Sequence, residues 1–306
     1  MIELTGTNAS GIAAALMQAR KRAGSSAMGM VMTLVVVVDE DDAEEAMECA
    51  RTASQEHPAR VLGVILGDAR GKGAIHAQVD IGSGWSGEHA LIWLKGEAVK
   101  HADSVVLPLL LPDSPVACWW PADAPDDPAS DPLGALAQRR ITDAAAARHA
   151  KSKALQQQCS SYSSGNTDLA WTRLTPWRAL LAAALDQHPE KVRSASVTAE
   201  RISPSADLLV TWLGAGLRVP VERHSSRGPG ITEVVMSTKS GDIKIDRPDG
   251  RLASFISPGQ PDRPVALKRR SIPELLAEEL RRLDEDDVYA ETARRLARKG
   301  PAKASK

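Results

Sequence analysis

The sequence predicts a mixed α/β protein of two domains, each with a mixed sheet flanked by helices. Three observations predict it. At 306 residues the chain has room for two ordinary domains. Two apolar runs rich in β-branched residues, Val31 to Val38 and Arg60 to Leu66, lie either side of a helical stretch. That is the pattern of parallel strands buried on both faces. The second half alternates helical stretches with short strand-like segments between turns, then closes in charged, helix-forming sequence.

Taken in order, Asn8 to Ala23 reads as an amphipathic helix capped by Ser10, with Ile12, Leu16 and Ala19 on one face. Met30 to Val38 is a strand bounded by Gly29 and Asp39. The acidic stretch Asp39 to Glu45 opens a second helix reaching about Gln55, where acids suit the helix dipole. His57-Pro58 stops it and Arg60 to Leu66 returns as a strand, which implies a right-handed crossover. After a basic, mobile turn at Gly67 to Gly73, Ile75 to Ile81 and Ala90 to Leu94 are shorter strands around the glycine-rich turn Gly82 to Gly87. Ser104 to Leu111 is a helix or strand ending at Pro112, and Val116 to Trp120 is a strand. Four prolines make Pro121 to Pro132 a loop, and Asp131-Pro132 reads as a helix cap and first residue. A helix over Asp143 to Gln158 then meets the polar stretch Cys159 to Asp168, read as a linker. The expected division is 1–160, a linker at 161–170, and 171–306 with a helical C-terminus.

In the second half, Thr175-Pro176 starts a helix whose Trp177, Leu180, Leu181 and Ala184 share a face. Val192 to Ala199 is a strand and Ser205 to Gly216 a helix preceded by Pro204. Val219 to Arg223, Thr232 to Thr238, Asp242 to Asp246 and Leu252 to Ile256 are strands separated by turns such as Lys239-Ser240-Gly241. Ser271 with Glu274 is a capping box, and a last helix spans about Glu285 to Ala297.

Composition excludes several functions. A net charge of −1 gives no overall field for nucleic acid or an anionic membrane. The longest apolar run is too short to span a bilayer, and the opening Met1-Ile2-Glu3-Leu4 has no basic region feeding an apolar stretch, so a cytoplasmic protein is expected. Three scattered cysteines fit free thiols in a reducing compartment. The seven histidines form no metal-ligand spacing, and no Gly-x-Ser-x-Gly elbow is present. Gly82, Gly84 and Gly87 have dinucleotide-loop spacing, but the residues after them read as extended, so a turn is expected and no cofactor. Asp123, Asp126 and Asp127 sit in a proline-rich loop, where Asp serves turns more often than metals.

What remains is tryptophan. Leu107 to Pro121, LPLLLPDSPVACWWP, and Ala170 to Ala182, AWTRLTPWRALLA, hold four of the seven Trp in a chain with one Phe and two Tyr. Trp next to Arg is hot-spot chemistry. Alternation along a strand sends Trp119 and Trp120 to opposite sides, so one enters a core and the other is available to a second domain or a partner. Arg173 and Arg178 flank a helix start, an arrangement able to hold a phosphate or a partner carboxylate. The plain alternative is structural: Trp at a domain seam, Trp177 in the core and Arg178 paired internally.

These two motifs resemble the glucose-6-phosphate dehydrogenase assembly protein family, the OpcA family, and the resemblance covers nearly the whole chain. It implies a non-catalytic protein that binds glucose-6-phosphate dehydrogenase, supports its active oligomer and raises its activity. That enzyme opens the oxidative pentose phosphate pathway and makes NADPH. Trp119, Trp120, Pro121, Trp171, Arg173, Pro176, Trp177 and Arg178 carry over as motif positions, either partner-binding or fold-defining. The Ala- and Arg-rich composition suits an actinobacterial member. The runner-up reading, from the Arg pair at a helix start, is a sugar-phosphate-binding protein or enzyme of the same pathway.

Overall fold

A computed structural model describes residues 1–23, 29–81 and 87–300. Strand β1 (Ile2–Thr5) precedes helix α1 (Ala9–Ala23). Asn8 rather than Ser10 caps α1: its Oδ1 accepts the Gly11 backbone N–H at 2.9 Å, which leaves Ser10 inside the first turn. Strand β2 (Met32–Val38) is buried throughout. A 3-10 turn leads into α2 (Ala43–Ala53), which turns Ala46, Met47, Ala50 and Ala53 inward. Strand β3 (Ala59–Leu66) returns parallel to β2, as the two apolar runs predict. The 67–73 turn is tied down, with Asp68 O accepting from Gly96 N at 2.7 Å and Gly71 O from Glu97 N at 3.2 Å. Strands β4 (Ala74–Ile81) and β5 (Glu88–Lys95) pair antiparallel; of the turn between them, 82–86 lie outside the described residues. After α3 (Glu97–Lys100), the 104–111 segment starts within α4 (Ala102–Val106) and continues as a 3-10 turn at Leu107–Leu109. Strand β6 (Val116–Trp119) then runs parallel to β2.

Three expectations fail between residues 131 and 170. Asp131 opens only a 3-10 turn at Gly134–Leu136. Arg139–Thr142 is a buried strand, β7, parallel to β6. The helix expected from Asp143 begins at Lys151 (α5, Lys151–Ser160). Residues 161–170 hold strand β8 (Asn166–Asp168) and enter α6 (Leu169–Thr172), instead of forming a linker. The reason is that polar side chains here are buried with partners. Arg140 Nε donates to Asn166 Oδ1, the Thr142 hydroxyl donates to Thr167 O, and Asp168 Oδ1 accepts Ala170 N at 2.8 Å.

The remainder follows its pattern closely. Helix α7 (Thr175–Gln187), strand β9 (Ser194–Glu200) and helix α8 (Pro204–Leu217) precede β10 (Val221–Ser226), β11 (Ile231–Ser237), β12 (Asp242–Asp246) and β13 (Leu252–Ile256). Strand β14 (Arg263–Ala266) carries no sequence signal. Helix α9 (Ile272–Arg281) starts at the capping box, where Glu274 accepts the Ser271 N–H at 2.7 Å, and α10 (Asp287–Lys299) follows.

The chain forms two units whose segments interleave. The first takes Met1–Asp143, Ser163–Thr167 and Ser271–Glu285; the second takes Ala144–Tyr162, Asp168–Arg270 and Asp286–Lys306. Thus α9, expected in the second domain, belongs to the first unit. The first unit's sheet has the order β1-β4-β5-β3-β2-β6-β7-β8, with a parallel centre from β5 to β7 and antiparallel β4 and β1 at one side. Ile12 and Leu16 of α1 pack with Val35, Leu62, Ile92 and Trp120 on one face. The second sheet has the order β10-β9-β11-β12-β13-β14, antiparallel except for β10 with β9. Its core joins Trp171, Trp177, Leu181, Leu209 and Val234.

Candidate functional site

All four motif tryptophans are buried: Trp119 to 1% exposure, Trp120 to 3%, Trp171 to 1% and Trp177 to 2%. Trp119, the last residue of β6, and Trp120 just after it take opposite sides, as alternation requires. Trp120 joins Ile12, Cys118 and Leu133 in the core under α1. Trp119 pairs across to Val36, which lies outside that core. Neither side chain is exposed to solvent. Trp120 is wedged by the proline-rich loop. A Cβ on Gly134 would lie 1.8 Å from Pro128 O and 3.0 Å from the Trp120 ring, so only glycine fits there. Pro121 is half-buried beside it.

In the second unit the other motif forms a stack. Arg178 lies over the Trp171 ring at 3.8 Å. Trp171 meets Tyr289 with ring centroids 5.7 Å apart, Tyr289 meets Tyr162 edge-on at 5.8 Å, and Arg294 caps Tyr162 at 5.0 Å. Both tyrosines of the chain are used. Each cation–π contact of this kind contributes about 0.5–2 kcal/mol. Asp286 ties the stack to α10: Oδ2 accepts Trp171 Nε1–H at 2.8 Å while Oδ1 caps the helix through Tyr289 N at 2.9 Å. Trp177 faces Arg247 at 4.9 Å. Arg247 donates to Leu267 O and Ile231 O, and burial with Arg269 nearby lowers its pKa to about 10. Pro176 sits in the first turn of α7, half-buried like Arg173. Arg178 is engaged with a ring and with the Thr175 hydroxyl, so the two arginines are not a matched pair at the helix start.

Sequence reasoning missed a cavity of about 260 Å³ at the carboxyl ends of β2 and β6. These adjacent parallel strands lead to neighbours on opposite sides, β3 and β7, which makes the cavity a topological switch point. Asp39, Asp42, Asp123 and Asp131 line it, with Trp120 and Pro121, and no Lys, Arg or His does. Such a lining disfavours phosphate. The available signal was Asp39 directly after β2 and Asp123 four residues after β6. Asp127 makes a turn, accepting Ala129 N, Ser130 N and the Ser130 hydroxyl, which lowers its pKa. Among the described residues no group of three or more His, Cys, Asp or Glu is placed to hold a metal, and no helix is long and apolar enough to cross a membrane.

The thiols are muted. Burial raises the pKa of Cys118 and Cys159, and burial with Glu45 and Glu48 raises that of Cys49. Deprotonated cysteine, the reactive form, is therefore scarce at neutral pH.

The folds and motifs define a two-unit mixed α/β protein whose signature tryptophans are packed inside it. Residues 50–159 match the model of the glucose-6-phosphate dehydrogenase subunit N-terminal domain, and residues 164–293 match that of its C-terminal domain. The chain belongs to the glucose-6-phosphate dehydrogenase assembly protein (OpcA) family. No curated protein matches it. One solved structure, described as trehalose-6-phosphate from E. coli bound with UDP-2-fluoro glucose, is 12% identical over 64% of this chain and 66% of that one, with a TM-score of 0.25. The chain spans just under two thirds of that structure's length, and the likeness bears on neither fold nor function.

Proposed function

We propose that this protein is a non-catalytic partner of glucose-6-phosphate dehydrogenase that binds the enzyme in the cytoplasm and favours its active oligomer. The observation that carries this reading is the match of both halves of the chain to the two domains of one dehydrogenase-subunit family. The motif tryptophans act in it as scaffold: Trp120 joins the first core, Trp171 and Trp177 the second, Trp119 is buried on the other face of the first sheet, and Arg178 and Arg247 lie against Trp171 and Trp177. Activation works by population shift. Binding the active oligomer tenfold more tightly than the inactive form needs about 1.4 kcal/mol of differential affinity. The result is faster NADPH production at the head of the oxidative pentose phosphate pathway.

The test is light-scattering chromatography of the cognate dehydrogenase with and without this protein, with NADP reduction assayed on each fraction. A co-eluting complex of larger mass and higher specific activity is expected. Co-elution without any change in oligomer or rate would remove activation, and separate elution would remove binding.

A further inference from the structure

One face of the first unit's sheet is covered over only part of its width. Backbone register sets Trp119, Val36, Gly63, Leu91, Gln78 and Glu3 in a single row across it. Helix α2 seals the middle of that row, where a Cβ on Gly63 would meet Met47 Sδ at 2.6 Å. Beyond Gly63 the cover stops: Leu91 and Gln78 are half-buried and Glu3 is exposed. The next row on this face runs through Ile65, Trp93, His76 and Thr5, and Trp93 is half-buried. Two shallow concavities share Trp93. One, about 980 Å³, has Ile65, Leu91 and Trp93 on its floor; the other, about 240 Å³, reaches Glu3, Thr5 and His76.

The rim is strongly acidic. Residues 39–48 contain seven carboxylates and no basic residue, in a chain whose net charge is only −1. Glu40, Asp41, Glu44, Glu45 and Glu48 wall the larger concavity, and its one Arg, Arg51, is paired with Glu48. An aromatic and aliphatic centre with a charged surround is the anatomy of a protein interface, and it selects a partner of opposite charge. A second copy meeting this patch face to face would bring acid against acid.

We propose that this open face docks glucose-6-phosphate dehydrogenase, through a patch on the enzyme that presents an apolar side chain ringed by lysine or arginine. The inference rests on the proposed function for the partner's identity. Trp93 and Leu91 supply the desolvated centre, and the acidic start of α2 steers and registers the encounter.

The experiment is calorimetric titration of the cognate dehydrogenase with the full chain, as wild type, Trp93→Ala and Glu44→Lys/Glu45→Lys. Glu44 and Glu45 are exposed, so the double reversal retains the fold, which thermal unfolding checks. Each variant is expected to weaken binding by about tenfold or more, and the reversal also flattens the salt dependence. Asp242→Lys, exposed on the second sheet, is expected to bind as wild type does. Wild-type binding with both variants unaffected overturns this docking face and leaves the proposed function standing. A wild type that does not bind overturns the proposed function and this inference with it. Self-association of the isolated protein that Trp93→Ala abolishes assigns the face to a second copy and overturns the proposal.

Discussion

Trp119 and Trp93 lie on the same face of the same sheet, on strands separated only by β2 and β3. Trp119 is 1% exposed, while Trp93 is half-buried. Neither strand propensity nor side-chain type separates them. Helix α2 packs on β2 and β3, between the strands that carry the two residues, and beyond it Leu91, Gln78 and Trp93 are half-buried. Antiparallel extensions can keep one face in water, whereas a parallel centre cannot. The four motif tryptophans are thus buried, and the proposed docking face is centred on one outside both motifs.

The comparison breaks most directly by substitution. Trp119→Ala is expected to cost about 3–5 kcal/mol in urea unfolding, as for a large buried aromatic side chain. Trp93→Ala should cost under about 1 kcal/mol. Equal losses would mean that Trp93 is core as well. The closed regions also bury charge. Asp207 is 6% exposed, and burial, opposed by nearby Arg223, raises its pKa from 3.8 to about 7. The folded state then holds a proton that the unfolded chain releases at lower pH, so stability is fullest below about pH 4 and falls as pH rises towards 7. Unfolding free energies from urea titration of wild type and Asp207→Asn should diverge over that window by about a few kcal/mol, with the wild type losing. Gly134→Ala should force Pro128 and the proline-rich loop away from Trp120 and cost about 1–3 kcal/mol in thermal unfolding. The smallest effect tests an edge residue: iodoacetamide should modify half-buried Cys49 more slowly than a free thiol at pH 7, and no faster under native conditions than after unfolding.

Elements whose burial is dictated locally were legible in the sequence. β2 and β3 announce themselves by continuous apolar runs, and β12 and β13 by turn-bounded segments whose limits agree with the structure. Helix α9 announces itself by Ser271 and Glu274. What escaped was burial that polar residues achieve through distant partners. β7 carries no strand signal, since its Arg139 and Arg140 interrupt any apolar run, yet Arg139 is buried against Glu279, which is 140 positions away. β8 reads as linker because Asn166 and Asp168 look like turn residues, yet they serve Arg140 and the α6 cap. For the motif residues, the pattern singled out the tryptophans and left open whether they face a core or a partner. Whether a tryptophan faces core or water depends on which helix lies above it, and that is a tertiary fact. The half-exposed row through Trp93 carries no signature of its own.

Arg139 and Glu279 have a temporal consequence as well. The guanidinium is 4% exposed and the carboxylate 7%, and Arg139 Nη1 also donates to Asp284 O at 3.0 Å. A buried charge without its counterpart is strongly unfavourable. During synthesis the first unit's sheet leaves the ribosome long before residues 271–285 exist, and until they arrive Arg139 must stay in water. The first unit therefore reaches its final form only after residue 285 has been made, by which time the sequence of the second sheet already exists.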